Sequence, residues 1–178
     1  EDVPPFTVDL ARRLIEQAYG ESLEQLFSMF DDKPMASASV AQVHRAQLHD
    51  GTHVVVKVLR PEVEKQIDRD LKLLYTLARF AQKYWSEGER LRPVEVVDEY
   101  NKTIHDELDL MREASNASKL RSNFENSAII YVPEIYWQHT RRDVMVMEEV
   151  TGIPIRDIEA IRKAGIDMRQ PVSYTHLR

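Results

Sequence analysis

The sequence predicts an α+β fold, an antiparallel sheet with helices packed against it, and three observations carry that expectation. Val40 to Leu48 and Thr52 to Leu59 are apolar and β-branched runs that meet at His49-Asp50-Gly51, a strong hairpin signal. Two long stretches, Pro61 to about Trp85 and Pro93 to about Phe124, repeat apolar residues at helical spacing. A second strand pair, Tyr131 to His139 and Val144 to Val150, flanks a turn at Thr140 to Asp143.

In chain order, Thr7 to Tyr19 reads as a helix, with Pro4 and Pro5 before it and Gly20 closing it. Ser22 to Phe30 reads as a second, short helical piece, ended by Asp31-Asp32-Lys33-Pro34. After the hairpin, Pro61 suits the first turn of a helix that Ser86-Glu87-Gly88 breaks. The stretch from Pro93 steps through Val97, Tyr100, Ile104, Leu108 and Met111 as one continuous helix. After the second strand pair, a short helix from about Ile155 to Ala164 stops at Gly165.

Bulk properties set outer limits. The chain has 178 residues, enough for one good core. A net charge of −6 offers no general attraction for nucleic acid, so none is expected as a partner. With no cysteine there is no disulfide framework, thiolate metal site or cysteine nucleophile. The 6 histidines are scattered without metal-ligand spacing, and no serine sits in a nucleophile elbow. No apolar run is long enough to cross a bilayer, and the first residue, Glu1, suggests a fragment.

Lys57 is the residue that suggests chemistry. It interrupts the run from His53 to Leu59, and a desolvated, unpaired ammonium costs several kcal/mol, at least roughly. One reading is an edge strand whose lysine reaches solvent. The other is a lysine that grips nucleotide phosphates and pairs with a helix glutamate, as in kinase folds. Strand alternation puts Val55, Lys57 and Leu59 on one face and Val54, Val56 and Val58 on the other. The second face can pack on helices while Lys57 looks into a cleft, with Val55 suited to an adenine ring. The order of elements is that of a kinase N-lobe ending at its hinge. Val144 to Gly152 then reads either as that hinge, with Met147 at the back of the pocket and the Glu148 to Val150 backbone on the adenine edge, or as a core strand leaving a sheet.

The stretch Lys33 to His44, the Lys57 strand and Asp106 to Ala114 together resemble the UbiB (AarF-domain) family of atypical protein-kinase-like proteins, over about Phe6 to Gln170. The resemblance implies a kinase-like N-lobe at 33–152 with two long inserted helices. A helical segment at 1–32 precedes it, a C-lobe begins at 153–170, and a tail at 171–178 is of doubtful origin. It implies ATP or ADP as ligand, with Mg2+ whose protein ligands are expected beyond the chain end. Ala36, Ser37, Ala38 and Ser39, leading into Val40, take the place of a glycine-rich phosphate loop. Alanine still lets backbone N–H groups face phosphates, and the serines add hydroxyls. The alternative is a tight turn packed under a helix. Glu113 matches the glutamate that pairs with the strand lysine, and Glu107 and Asp109 match the family's Glu-x-Asp signature. By helical spacing Asp109 and Glu113 share a face, with Glu107 on another side. A solvated acidic face beside Lys102 and Arg112 is the plainer reading of the same residues.

The implied parent is an atypical kinase or ATPase of ubiquinone biosynthesis at the cytoplasmic face of the bacterial inner membrane. Its implied partners are biosynthetic enzymes, quinone precursors or anionic lipids. Rival readings are a non-catalytic scaffold of the biosynthetic complex and an aminoglycoside-kinase-type phosphotransferase. Because no catalytic-loop or metal-binding aspartate occurs, this chain alone is not expected to turn over ATP. Independently of resemblance, Lys65, Arg69, Lys72, Arg79 and Lys83 form a basic stripe opposite an apolar one of Val63, Ile67, Leu71, Leu74, Ala78, Ala81 and Trp85. That stripe is either a solvated face or a surface for anionic lipid headgroups.

Overall fold

The computed structural model describes residues 5–85, 87–127, 129–153 and 157–164. Its centre is a hairpin of β3 (Ala41–Gln47) and β4 (His53–Leu59), closed by Gly51 at φ 88°, a conformation glycine adopts without strain. A strand at Val144–Glu148, β5, pairs antiparallel with β4, setting Met145 beside Lys57 and Met147 beside Val55. The far edge of β3 is covered in two pieces, β1 (Met29–Phe30) and β2 (Ala36–Ser37). The sheet order is therefore β1-β3-β4-β5, with β2 also on β3.

One face of the sheet is closed by the chain's start. The helices α1 (Val8–Tyr19) and α2 (Leu23–Leu26) bring Ile15, Leu23 and Leu26 onto Val54, Val56, Val58, Val144 and Val146. The other face is closed by α6 (Leu110–Asn123), whose Leu110 and Ala114 pack with Ala41, Leu59 and Met145. Between β4 and α6 run α3 (Val63–Tyr84), the short α4 (Gly88–Leu91) and α5 (Pro93–Glu107). A small core of Leu71, Ala78 and Val97 joins α3 to α5. A further short helix, α7, spans Ile158–Lys163.

Four expectations about elements need correction. The helix expected over Ser22 to Phe30 stops at Leu26, and Ser28, Met29 and Phe30 turn to the edge of β3, where Ser28 donates to the Gln47 carbonyl at 2.8 Å. The open edge needed a partner, and pairing overrode local helix propensity. The helix expected from Pro61 begins at Val63, after Glu62 takes φ 62°. The single helix from Pro93 to Phe124 is two, because Asp109 accepts from the Met111 and Arg112 amides and starts α6 afresh. Tyr131 to His139 is not a full strand: Ile135 bridges Met147, then Trp137–His139 winds into a 3-10 turn. Pro133 lacks the N–H a ladder needs there. The expectations for Ser86, Ile155, Gly165 and the tail at 171–178 lie outside the described residues.

A buried polar relay ties the start of the chain to the sheet. The Phe6 amide donates to Gln42 Oε1 at 3.0 Å, which fixes the orientation of that carboxamide. Gln42 Nε2 then donates to His44 Nε2 at 2.9 Å, and His44 Nδ1 donates to the Asp31 carbonyl at 2.8 Å. Gln42 and His44 are fully buried, and the relay is satisfied only by a neutral imidazole. Burial pushes the His44 pKa below its usual value, against the opposing hydrogen bond to Asp31.

Candidate functional site

Lys57 is not an edge residue. It lies on β4 with Val43 on one side and Met145 on the other, in the middle of the sheet. Strand alternation aims its side chain to the α6 face, with Val55 and Leu59, while Val54, Val56 and Val58 enter the core under α1. There Lys57 Nζ reaches both carboxylate oxygens of Glu113, each at 2.7 Å. These are short, charge-assisted contacts, with the lysine side chain 21% and the glutamate 43% exposed. An ammonium has three N–H donors, so one remains for an anion after Glu113 has taken two.

Glu113 is aimed at the lysine by the elbow between α5 and α6. Asp109 caps α6 through its side chain, and Leu108 and Leu110 are buried, which anchors the elbow. Arg112 closes the bend with a salt bridge back to Asp106. The sequence-based pairing of Asp109 with Glu113 on one helix face therefore does not hold. Asp109 precedes the helix, and its carboxylate is spent on backbone amides.

A cleft of about 430 Å³ opens at the ion pair, lined by Val40, Lys57, Glu107 and Glu113 together with Thr103, Asp106 and Asn116. Its size suits a small organic ligand. Thr103 and Asn116 were not expected from the sequence, and Asp106 entered only as the first residue of the acidic motif, although Asn116 sits one turn from Glu113 and the spacing of Thr103 to Glu107 is helical.

The glycine-free segment forms a β-turn-like connection between β2 and β3. Ala36 lies opposite Val43, on the Lys57 side of the sheet, whereas Ser37 lies opposite the buried Gln42. Ser37 therefore faces away from Lys57, and its hydroxyl accepts from Arg60 Nη2 at 2.9 Å. The expectation that its hydroxyl serves phosphates fails on this register. Ala38 and Ser39 are exposed at the tip, and Ala38 N–H donates to the Ala41 carbonyl at 2.8 Å.

The remaining residues fall along β5. Val55 is buried and Met147 partly buried on the lysine side of the sheet. Glu148 accepts from the Tyr131 hydroxyl at 2.6 Å and the Glu134 amide at 3.1 Å, and the Tyr131 bond in first place holds its carboxyl below the usual range. Val150 is exposed beyond the strand end. On α3 all five basic residues are exposed, but the apolar stripe is only partly used: Leu71 and Ala78 are buried while Trp85 is 61% exposed. Leu73, Leu77, Phe80 and Tyr84 add an exposed apolar row beside the cations.

A sheet whose central strand offers a lysine to a helix glutamate, under a β-turn and beside an inserted helix pair, defines a kinase-like N-lobe. Residues 1–175 match the ABC1 atypical kinase-like domain, and the chain belongs to that family. It is 59% identical over 167 residues to the "Probable protein kinase UbiB" of Marinobacter nauticus, covering 94% of this chain and 30% of the relative. It is 52% identical over 169 residues to the protein of the same name from Pseudomonas aeruginosa PAO1, covering 95% and 32%. The chain thus spans about a third of the length of the curated relatives it matches. A solved structure, that of Rv3197 from Mycobacterium tuberculosis in complex with erythromycin, superposes with a TM-score of 0.71 at 29% identity, over 94% of this chain and 40% of that one.

Proposed function

We propose that this chain is the nucleotide-binding part of a UbiB-type atypical kinase or ATPase that supports ubiquinone biosynthesis. The carrying observation is the Lys57–Glu113 pair at the mouth of the cleft. A lysine held at fixed height by a glutamate can meet the phosphates of ATP or ADP without searching for its rotamer. The Ala36–Ser39 turn would cover those phosphates with backbone N–H groups, Val40 and Val55 would flank the base, and Met147 to Val150 would edge it. The nucleotide supplies the transferable phosphoryl group. Among the described residues no three His, Cys, Asp or Glu side chains converge as metal ligands, so no step is assigned to Mg2+ here.

The names of the relatives, and a cleft of ligand size, support this reading over that of a bare scaffold. The reading places the parent at the cytoplasmic face of the bacterial inner membrane, with quinone precursors, biosynthetic enzymes and anionic lipids as partners. Among the described residues no helix is long and apolar enough to cross a membrane. The exposed cations of α3 are the surface that would meet lipid headgroups. Calorimetric titration of the full-length parent with Mg-ATP and Mg-ADP tests the nucleotide claim. Lys57→Ala and Glu113→Ala should each weaken binding at least about tenfold, the scale of one charge-assisted contact. Wild-type affinity in both variants would refute the assignment.

A further inference from the structure

The glycine-free turn raises a physical question. Glycine-rich phosphate loops adapt to their ligand, whereas an Ala-Ser-Ala-Ser turn restricts φ and must already stand at the right height. Something should hold it there. The side chain that does so is Arg60, the first residue after β4, whose N–H donates to the Val40 carbonyl at 2.8 Å. Alternation along the strand sends its side chain to the face opposite Lys57. On that face its Nε donates to the Ala38 carbonyl and its Nη2 to Ser37 Oγ, both at 2.9 Å. One planar fork therefore grips two successive residues of the turn.

The same guanidinium lies 5.5 Å from the centre of the Phe6 ring. Phe6 is itself pinned through its backbone to the fully buried Gln42, accepting and donating hydrogen bonds there. The segment before α1, Arg60 and the turn are thus joined in sequence, behind the sheet. We propose that Arg60 is a positioning residue for nucleotide binding: it latches the Ala36–Ser39 turn above Lys57 and couples it to the segment that precedes α1. Arg60 lies on the face opposite Lys57 and reaches the turn from behind. It acts on the phosphates only through the turn's backbone, and so should matter to phosphates and not to the base.

This inference rests on the nucleotide reading above, and the experiment separates the two. Mg-ADP and adenosine are titrated into the full-length parent, and the ratio of their affinities isolates what the phosphates contribute. In Arg60→Ala the ratio should fall about tenfold, the equivalent of one lost charge-assisted hydrogen bond, with adenosine affinity unchanged. Arg60→Lys, which cannot fork, should fall between. Hydrogen exchange at residues 37–40, measured without nucleotide, should speed up in Arg60→Ala. An unchanged ratio, an equal loss for adenosine and ADP, or unchanged exchange at the turn would each overturn the latch. If the wild-type chain binds no nucleotide, the functional reading fails, and turn exchange alone then decides the latch. Should Arg60→Ala not fold, Arg60→Lys and Ser37→Ala carry the same measurements.

Discussion

Replacing Asp109 with alanine should destabilise the protein through the start of α6, not through loss of a ligand contact. In the structure Asp109 Oδ1 accepts from Met111 N at 2.9 Å, an amide that a new helix leaves without a partner, and at 3.4 Å shares Arg112 N with the Asp109 carbonyl. Loss of such a cap costs about 1 kcal/mol, within a range of roughly 0.5–2. The carboxylate also faces the positive end of α6, and losing that charge costs a further ~0.3–1 kcal/mol. Asp109→Asn keeps the acceptor and forfeits only the charge, so it should cost less than half as much as alanine. For a domain with a urea slope of about 1–3 kcal/mol/M, a total of about 1.3–2 kcal/mol should lower the alanine variant's midpoint by roughly 0.4–2 M, with the slope unchanged. Glu113 stands in the first turn of α6, so fraying there should also loosen its grip on Lys57. A wild-type midpoint in Asp109→Ala, or an asparagine variant as damaged as the alanine one, would refute the capping argument.

Other outcomes follow from the same geometry. A double-mutant cycle with Lys57→Met and Glu113→Gln should give a coupling on the order of 1 kcal/mol, because the pair is short but partly solvated; a coupling near zero would mean that the two side chains do not hold each other in solution. Acid should weaken the fold early. The His44 pKa is lowered by burial in the folded state, so below about 6.5 the unfolded chain binds more protons, and stability is lost as pH falls from there toward the folded value. Urea unfolding at pH 7.5 and 5.5 should show this loss in the wild type and a smaller one in His44→Asn; identical losses would remove the relay as its source. Changing Lys65, Arg69, Lys72, Arg79 and Lys83 to glutamine should reduce cosedimentation with anionic liposomes and leave neutral liposomes unaffected. Unchanged sedimentation would dismiss α3 as a lipid-facing surface.

What could be read early was whatever the local chain encodes. The β3–β4 hairpin needed only Asp50-Gly51 and two β-branched runs, and the alternation along β4 already put Lys57 opposite the core valines. The Lys57–Glu113 pairing came from the resemblance, and the structure brings the two together at 2.7 Å. Asp109 misled because an aspartate four residues before a glutamate fits a helix face as well as an N-cap. Only the buried Leu108 and Leu110 on either side select the cap. Ser37 misled for a related reason: its face depends on register against β3, and Arg60, which takes its hydroxyl, lies 23 residues further along.

The sequence by itself determined the elements whose signals repeat within a few residues: the hairpin, the amphipathic helices, and the lysine in a valine strand. Tertiary structure decided which edge Met29 and Phe30 cover, where the long helix breaks, which way Ser37 points, and that β4 is flanked on both sides, so that Lys57 stands in the middle of the sheet and not on its edge. Those outcomes turn on pairing and burial between residues far apart in the chain. A local window carries the propensity to pair, but the partner that settles each choice lies outside it.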